Sequence, residues 1–246
     1  MSIADKDFSL HYSPAESRQF KRSIFRGTFA AIDADRLSDL MQRNQVETLI
    51  VRVPPGALGQ VAGLFSCGLQ PIVAEALLHY DIRLADFVEG GAAPRIEFTP
   101  IDDTERLRDM ARTIFQDYPS HYRSNPLLDA SVIADGYADW AVRLSEGPGT
   151  TARFFGRAGA IAGFVAYRAD PGEHAAEFLL AGVLPPMRGN GVYLQMFSDM
   201  LGSFRSDGFR IAQTATQAHN VGSQRTWTKL GMALRSVEYT LHVNRS

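Results

Sequence analysis

Cysteine is almost missing from this chain. Cys67 is the only one among 246 residues, so no intrachain disulfide can form and no cysteine-rich metal site can be assembled. A reducing cytosol suits such a composition, and the apolar neighbours of Cys67 suggest a packed thiol rather than a reactive one. No stretch approaches the roughly 20 apolar residues that a membrane helix needs. The first residues mix Asp5, Lys6 and Asp7 with short apolar runs, so no signal peptide is expected and no membrane partner either. The net charge of −2 and isoelectric point near 6.3 provide no basic field, which argues against nucleic acid as a partner. Short-period repeats and low-complexity tracts are also lacking. What is present is a hydrophobic fraction of 45% beside 21% charged residues, ample for a folded core in one large domain or two small ones.

The run Val46 to Val53 is rich in β-branched residues and is stopped by Pro54-Pro55-Gly56, which predicts a strand. Helical spacing of apolar residues follows from Ala57 to Phe65, then Gly68 as a helix stop, then a second strand from Pro71 to Leu78. The order is β-α-β. Residues 85–95 have the composition of a linker, which sets a domain boundary near residue 93 and divides the chain into 1–93 and 94–246. Beyond it the spacing predicts a strand over 96–101 and a helix ending at Phe115, capped by Asp103-Thr104. A second helix follows over 130–144. Three closely spaced strands over 151–156, 161–168 and 175–183 read as an antiparallel meander. After Arg188-Gly189-Asn190-Gly191 come a helix to Phe204, a strand over 210–216, a helix over 221–230 and a strand over 234–243. The fold class is α+β, with a mixed sheet.

The chemistry concentrates on that glycine loop. Backbone N–H groups at a helix start lack intrahelical partners and sit at the positive end of the helix dipole, so they favour phosphate oxygens. Glycine lets the main chain approach closely, and the Arg188 guanidinium adds a charge-assisted donor. A pyrophosphate fits there. Taken alone, the tetrapeptide is equally compatible with a turn before a helix.

The stretch Val183-Leu184-Pro185-Pro186-Met187-Arg188-Gly189-Asn190-Gly191-Val192-Tyr193 resembles the acyl-CoA motif of the GNAT N-acetyltransferase superfamily. That motif reads Gln or Arg, two residues, Gly, one residue, Gly or Ala, after a strand ending in Val. Here Tyr193 takes the last, usually small, position. A second stretch, His219 to Met232, resembles the C-terminal motif of the same family, with Asn220, Ser223 and Gly231 in register. The resemblance covers about residues 95–243. It implies a GNAT acyl-CoA N-acyltransferase fold, preceded by a smaller, partial GNAT-like β-α-β domain. It also implies acetyl-CoA or another acyl-CoA as cosubstrate, a small-molecule amine as acceptor and no metal. Leu180, Val183, Arg188, Gly189, Asn190, Gly191, Val192, Tyr193, Asn220, Ser223 and Trp227 are the residues placed at the cofactor. A homodimer is the expected assembly, if there is one.

One departure matters. Many members carry a tyrosine that protonates the CoA thiolate where this chain has Trp227, and an indole N–H is no usable proton source. The role passes to Tyr193, His219 or water, or the common mechanism is lost. For the base, Glu177 lies six residues before Val183, the offset of the catalytic glutamate in histone-acetylating members, and its apolar neighbours suggest partial desolvation. It is also readable as an outward strand residue. His219 can take a proton from an ammonium near neutral pH, or can simply open the helix after Asn220. His121, Tyr122 and Arg123 lie in the helix–helix loop where the family builds its acceptor pocket.

The segments Val46–Leu78, Ser120–Leu128, Thr216-Gln217 and Ser223–Arg225 are also similar to a narrower group, the amino-sugar nucleotide (dTDP-fucosamine) acetyltransferases. An amino-deoxy sugar nucleotide is therefore the expected acceptor. An antibiotic, a polyamine, an amino acid or a peptide N-terminus is the alternative, and a non-catalytic acyl-CoA-binding module is the second.

Overall fold

The computed structural model describes residues 2–5, 8–90 and 95–245, so the boundary expected near residue 93 lies outside the described residues. The strands are β1 (Ser2–Asp5), β2 (Phe8–Tyr12), β3 (Ile24–Phe29), β4 (Thr48–Val53), β5 (Leu69–Arg83), β6 (Glu97–Pro100), β7 (Thr150–Arg157), β8 (Ala160–Asp170), β9 (Ala175–Val183), β10 (Ile211–Gln217) and β11 (Ala233–Arg245). The helices are α1 (Pro14–Phe20), α2 (Ala34–Arg43), α3 (Val61–Ser66), α4 (Thr104–Phe115), α5 (Ile133–Glu146), α6 (Val192–Ser206) and α7 (Val221–Lys229). Among the described residues no helix is long and apolar enough to cross a membrane.

The contacts divide the chain into two compact units. Unit 1 comprises residues 1–77, 119–136 and 237–246; unit 2 comprises 78–118 and 137–236. Both cuts in the helical region and both cuts in β5 and β11 are absent from a reading that expects one linker, because sequence composition marks flexible joints and not places where a continuous strand changes neighbours.

In unit 1, β1 and β2 pair antiparallel, β2 and β3 antiparallel, and β3 and β4 parallel through the crossover helix α2. The other neighbour of β4 is the C-terminal strand, with Tyr239 opposite Val53 and Leu241 opposite Val51. The expected β-α-β order over 46–78 is found as β4, α3 and β5, although the pairing partners of β4 are β3 and β11 and not the strand that follows α3. Leu49, Val51, Val53, Leu241 and Val243 face one side and pack with Leu37 and Met41 of α2 and Leu64 of α3. Strand period two then turns Thr48, Ile50, Arg52, Thr240, His242 and Asn244 to the other side.

In unit 2 the meander is as expected: β6–β7, β7–β8 and β8–β9 are antiparallel, and β9 and β10 are parallel across α6. The succession of pairings along β7 to β10, antiparallel, antiparallel, parallel, is the same as along β1 to β4. The core joins Phe178 and Val183 of β9 to Met196, Phe197, Leu201 and Phe204 of α6 and to Trp227 of α7. Gly163 is required where β8 meets β9: a Cβ there would come within 2.0 Å of the Gly182 carbonyl oxygen.

Candidate active site

Two irregularities of β9 shape the site in unit 2. Against β8, Ala166 faces Leu180 and Tyr167 faces Phe178, so Leu179 has no opposite residue and the strand bulges there. Against β10, the register runs from Ala175 opposite Ile211 to Phe178 opposite Thr214 and then ends, although β9 continues to Val183 and β10 to Gln217. The two strands part beyond that point. A gap between parted parallel strands presents backbone N–H and C=O groups that the ladder no longer satisfies, and an extended amide-bearing chain can take them up.

At the open end of the gap stands the glycine loop. Gly189 and Gly191 have φ of +80° and +71°, a conformation that side-chain-bearing residues rarely adopt. Beyond the adjoining residues of the chain, no atom lies within 4 Å of where a Cβ would stand on either glycine, so the backbone there borders open space. Gly191 precedes α6, and the first bond of the helix runs from the Gln195 N–H to the Gly191 oxygen at 3.0 Å. The N–H groups of the preceding turn therefore have no partner one helical turn back. Arg188 donates from Nε to the Val183 oxygen and from Nη2 to the Ile114 oxygen, each at 3.1 Å. It thus ties the loop to the end of β9 and to α4 as well as carrying charge.

Tyr193 follows in the first turn of α6, and its hydroxyl lies 3.4 Å from Ser223 Oγ in the first turn of α7. Burial pushes the phenol up to about 12 against a smaller opposing influence from Ser223 and Trp227, so it stays protonated at neutral pH. Trp227 is 2% exposed and packs edge-on against Tyr80 at 5.4 Å. Its Nε1 forms no well-aligned hydrogen bond among the described residues, which makes it a wall of the core and no proton donor. Asn220 caps α7 by accepting from the Ser223 N–H, and its amide donates to Thr216 Oγ1 at 2.9 Å.

His219 stands in the turn between β10 and α7, its ring 5.9 Å from that of Tyr118. Desolvation lowers its pKa, which keeps the ring neutral and able to accept a proton. The Tyr118 hydroxyl donates to Gln217 Oε1, and the Tyr118 ring lies edge-on to both Phe115 and Tyr137. Tyr118 and Gln217 were not picked out as site residues from the sequence, although Gln217 lies in one of the segments that resemble the narrower group. For Tyr118 the aromatic spacing from Phe115 was the available signal.

Glu177 lies elsewhere on the strand. It sits before the bulge, pairs with Arg168 at 3.7 Å and is 50% exposed. The desolvated carboxylate suggested by its neighbours is not found: Phe178 and Leu180 turn to the buried side and leave Glu177 outside. Among the described residues no group of three or more metal-ligating side chains occurs.

A model of the acetyltransferase (GNAT) family matches residues 107–232, just over half of the chain. The chain belongs to the GNAT acetyltransferase family. Among solved structures it is similar to a GCN5-related N-acetyltransferase from Kribbella flavida, with a TM-score of 0.60 and 12% identity over 100% of this chain and 89% of that one. A second, from Sphaerobacter thermophilus, gives a TM-score of 0.63 and 14% identity over 97% and 76%. A tandem GNAT protein from the clavulanic acid biosynthesis pathway gives 0.58 and 15% over 96% and 78%. These likenesses are of fold. No curated protein matches the sequence. The mixed α/β sheet of this chain is that of a GNAT protein, and the bulge, the parted strands and the glycine loop all lie inside the matched segment.

His121, Tyr122 and Arg123 belong to unit 1, and two of them are committed to a buried network there. Glu16 Oε1 accepts from Arg26 Nη2 at 2.8 Å and also from the Tyr122 hydroxyl. Burial alone would raise the Glu16 carboxyl, but attraction to Arg26 and hydrogen bonds from Arg26, Ser13 and Tyr122 outweigh it and bring the group to about 2. Asn125 and Asn244 exchange amide hydrogen bonds at 3.0 and 3.2 Å, and Asn125 Nδ2 also donates to His242 Nδ1 at 3.2 Å. That fixes the proton of His242 on Nε2, which donates to His121 Nδ1 at 2.8 Å. Both rings are held neutral: burial, then Arg26, lowers His242 to about 3 and pushes His121 well below its usual value.

Proposed function

We propose that the chain is an acetyl-CoA-dependent N-acyltransferase of a small primary amine. The observation that carries this reading is the parting of β9 and β10 beyond Phe178 and Thr214, at the foot of a loop whose two glycines leave open space. In this reading the pyrophosphate rests on the N–H groups from Gly189 to Val192, with Ser223 and Asn220 bordering the same groove. The backbone near Leu180 polarises the thioester carbonyl. The neutral amine attacks that carbon, the C–S bond breaks, and the amine proton passes to His219 while the thiolate takes a proton from Tyr193. Orientation in the gap supplies much of the rate. His219 is the base in preference to Glu177, because Glu177 is exposed and ion-paired before the bulge.

Unit 1, on the same footing, is a degenerate GNAT-like half. Its β3–α2 junction repeats the place of the glycine loop, yet residues 30–33 read Ala-Ala-Ile-Asp, and Asp33 itself caps α2 by accepting from the Arg36 N–H. An anionic cap leaves no room for a phosphate. One CoA per chain is the consequence.

Thiol release from acetyl-CoA against a panel of amines identifies the acceptor. The panel holds the amino-deoxy sugar nucleotide of the narrower resemblance, amino acids, polyamines and peptides. Wild type is run beside H219A, Y193F and E177Q. Turnover that falls in H219A and Y193F and survives in E177Q supports the assignment; equal turnover in all four proteins overturns the residue roles. Binding of CoA with no amine acylated would instead favour a non-catalytic module.

A further inference from the structure

The polar face of the unit 1 sheet holds two charged groups that the buried network leaves unanswered. Arg52 is on β4, with Thr28 opposite on β3 and Thr240 opposite on β11. Its Nε is buried without a hydrogen-bond partner among the described residues, and Glu75 and Glu238 are the acidic groups that attract its charge. Glu75, on β5, accepts from Thr240 Oγ1 at 3.3 Å through Oε1, while Oε2 is buried with no partner. Arg26 on the same face meets Glu16 at 2.8 Å, so the sheet can complete an ion pair there. At Arg52 and Glu75 one buried polar atom on each, Nε and Oε2, is left without a hydrogen bond.

Such an arrangement is costly unless something else completes it, since a desolvated charge without a partner is among the most expensive things a fold can keep. Each group feels the other. Burial, then Arg26, makes the Arg52 charge harder to hold, with Glu238, Glu75 and Tyr122 opposing; burial lifts the Glu75 carboxyl to about 7 although Arg52 and Thr240 pull it down. A simple dianion such as phosphate would satisfy Arg52 but would be repelled by Glu75 and Glu238. A cation alone would meet Arg52 and Arg26. A ligand with one charge of each sign matches both open groups.

We propose that Arg52 and Glu75 form a binding site in unit 1 for a free α-amino acid, its carboxylate taken by the guanidinium and its ammonium by the Glu75 carboxylate. Thr240, already bonded to Glu75, fixes the carboxylate from behind. A guanidinium presents two parallel N–H groups to a carboxylate, which suits it to this role better than an ammonium would be. The site is argued from unit 1 alone and stands or falls without the acyl-CoA reading.

The test is calorimetric titration of the full chain, in the absence of any acyl-CoA, with each of the common L-amino acids. Whichever binds is compared with its N-acetyl derivative and its primary amide. Binding of at least one free amino acid is expected, with each blocked analogue weaker by at least about tenfold. Arg52→Met is expected to abolish binding and Glu75→Gln to remove the preference for the free amine over its N-acetyl form. Should Arg52→Met not melt cooperatively, Arg52→Lys carries the test, because it keeps the charge and loses the two-pronged donor; a weakening of at least about tenfold is expected there. Absence of binding by every amino acid overturns the proposal, and so does undiminished binding in folded Arg52 and Glu75 variants.

Discussion

Arg188 donates from Nε to the carbonyl oxygen of Val183 at 3.1 Å, so the arginine of the glycine loop is held by the strand that delivers the loop. Its second bond, to Ile114, brings in the end of α4. The residue therefore shapes the cradle before it meets any phosphate.

Replacing Arg188 by methionine is expected to cost about 1–3 kcal/mol of stability, from two carbonyls that lose a charged donor. Affinity for acetyl-CoA should fall at least about tenfold with it. Lysine in the same place keeps the charge but cannot serve both carbonyls, so it should rescue stability only in part. Thermal melts and CoA titrations of the two variants check this.

Gly191→Ala and Gly149→Ala make a controlled pair. Both positions have positive φ, +71° and +74°, and both have open space around the missing Cβ. Each substitution should cost about 1–2 kcal/mol in stability, the price of a left-handed residue. Only Gly191→Ala should weaken CoA binding, because Gly149 lies in the turn between α5 and β7. Equal CoA affinity in the two proteins would speak against the cradle.

The pH profile of turnover should carry the signature of His219. Desolvation lowers its pKa, and a base works only when neutral, so the acid limb of kcat/KM should lie below about pH 6.5, the unperturbed histidine value. In His219→Gln that limb should vanish while the KM for acetyl-CoA holds. A limb unchanged by the substitution would assign the base elsewhere.

Stability should fall in acid for a reason confined to unit 1. His121 and His242 are neutral when folded, whereas in the unfolded chain they gain protons below about pH 6.5, so the unfolded state binds more protons and stability declines as pH drops from there toward about 3. Glu16 adds its own loss between about pH 4.5 and about 2, as its carboxylate is forced to protonate. Glu75 acts oppositely: its raised pKa makes it lose stability as pH rises through about 7. Melting temperature measured against pH in wild type, His242→Asn and Glu75→Gln separates the three, the first variant flattening the decline between about pH 6.5 and about 3, the second the one near neutrality.

Much of unit 2 was legible in the sequence because its signals are local. The strand over 175–183 was read to the residue, and the helices beginning after Gly191 and Asn220 follow from a glycine with positive φ and an Asn cap. The first 45 residues were not read as structure: β1, β2 and β3 are short, and α1 and α2 carry many polar residues. Their stability comes from partners far along the chain, as when Gln19 Nε2 donates to the Val132 oxygen at 2.9 Å. No periodicity announces such a pairing. Glu177 shows the same limit at the site, since apolar neighbours in sequence occupy opposite faces of a strand.

The central claim is that the parted strands and the glycine loop hold an acyl-CoA, and isothermal titration of the full chain with acetyl-CoA tests it most directly. The expected result is one molecule per chain, with affinity lost in Gly191→Ala and kept in Gly149→Ala. Two molecules per chain would contradict the reading of unit 1, and no binding in a protein that melts cooperatively would contradict the claim itself.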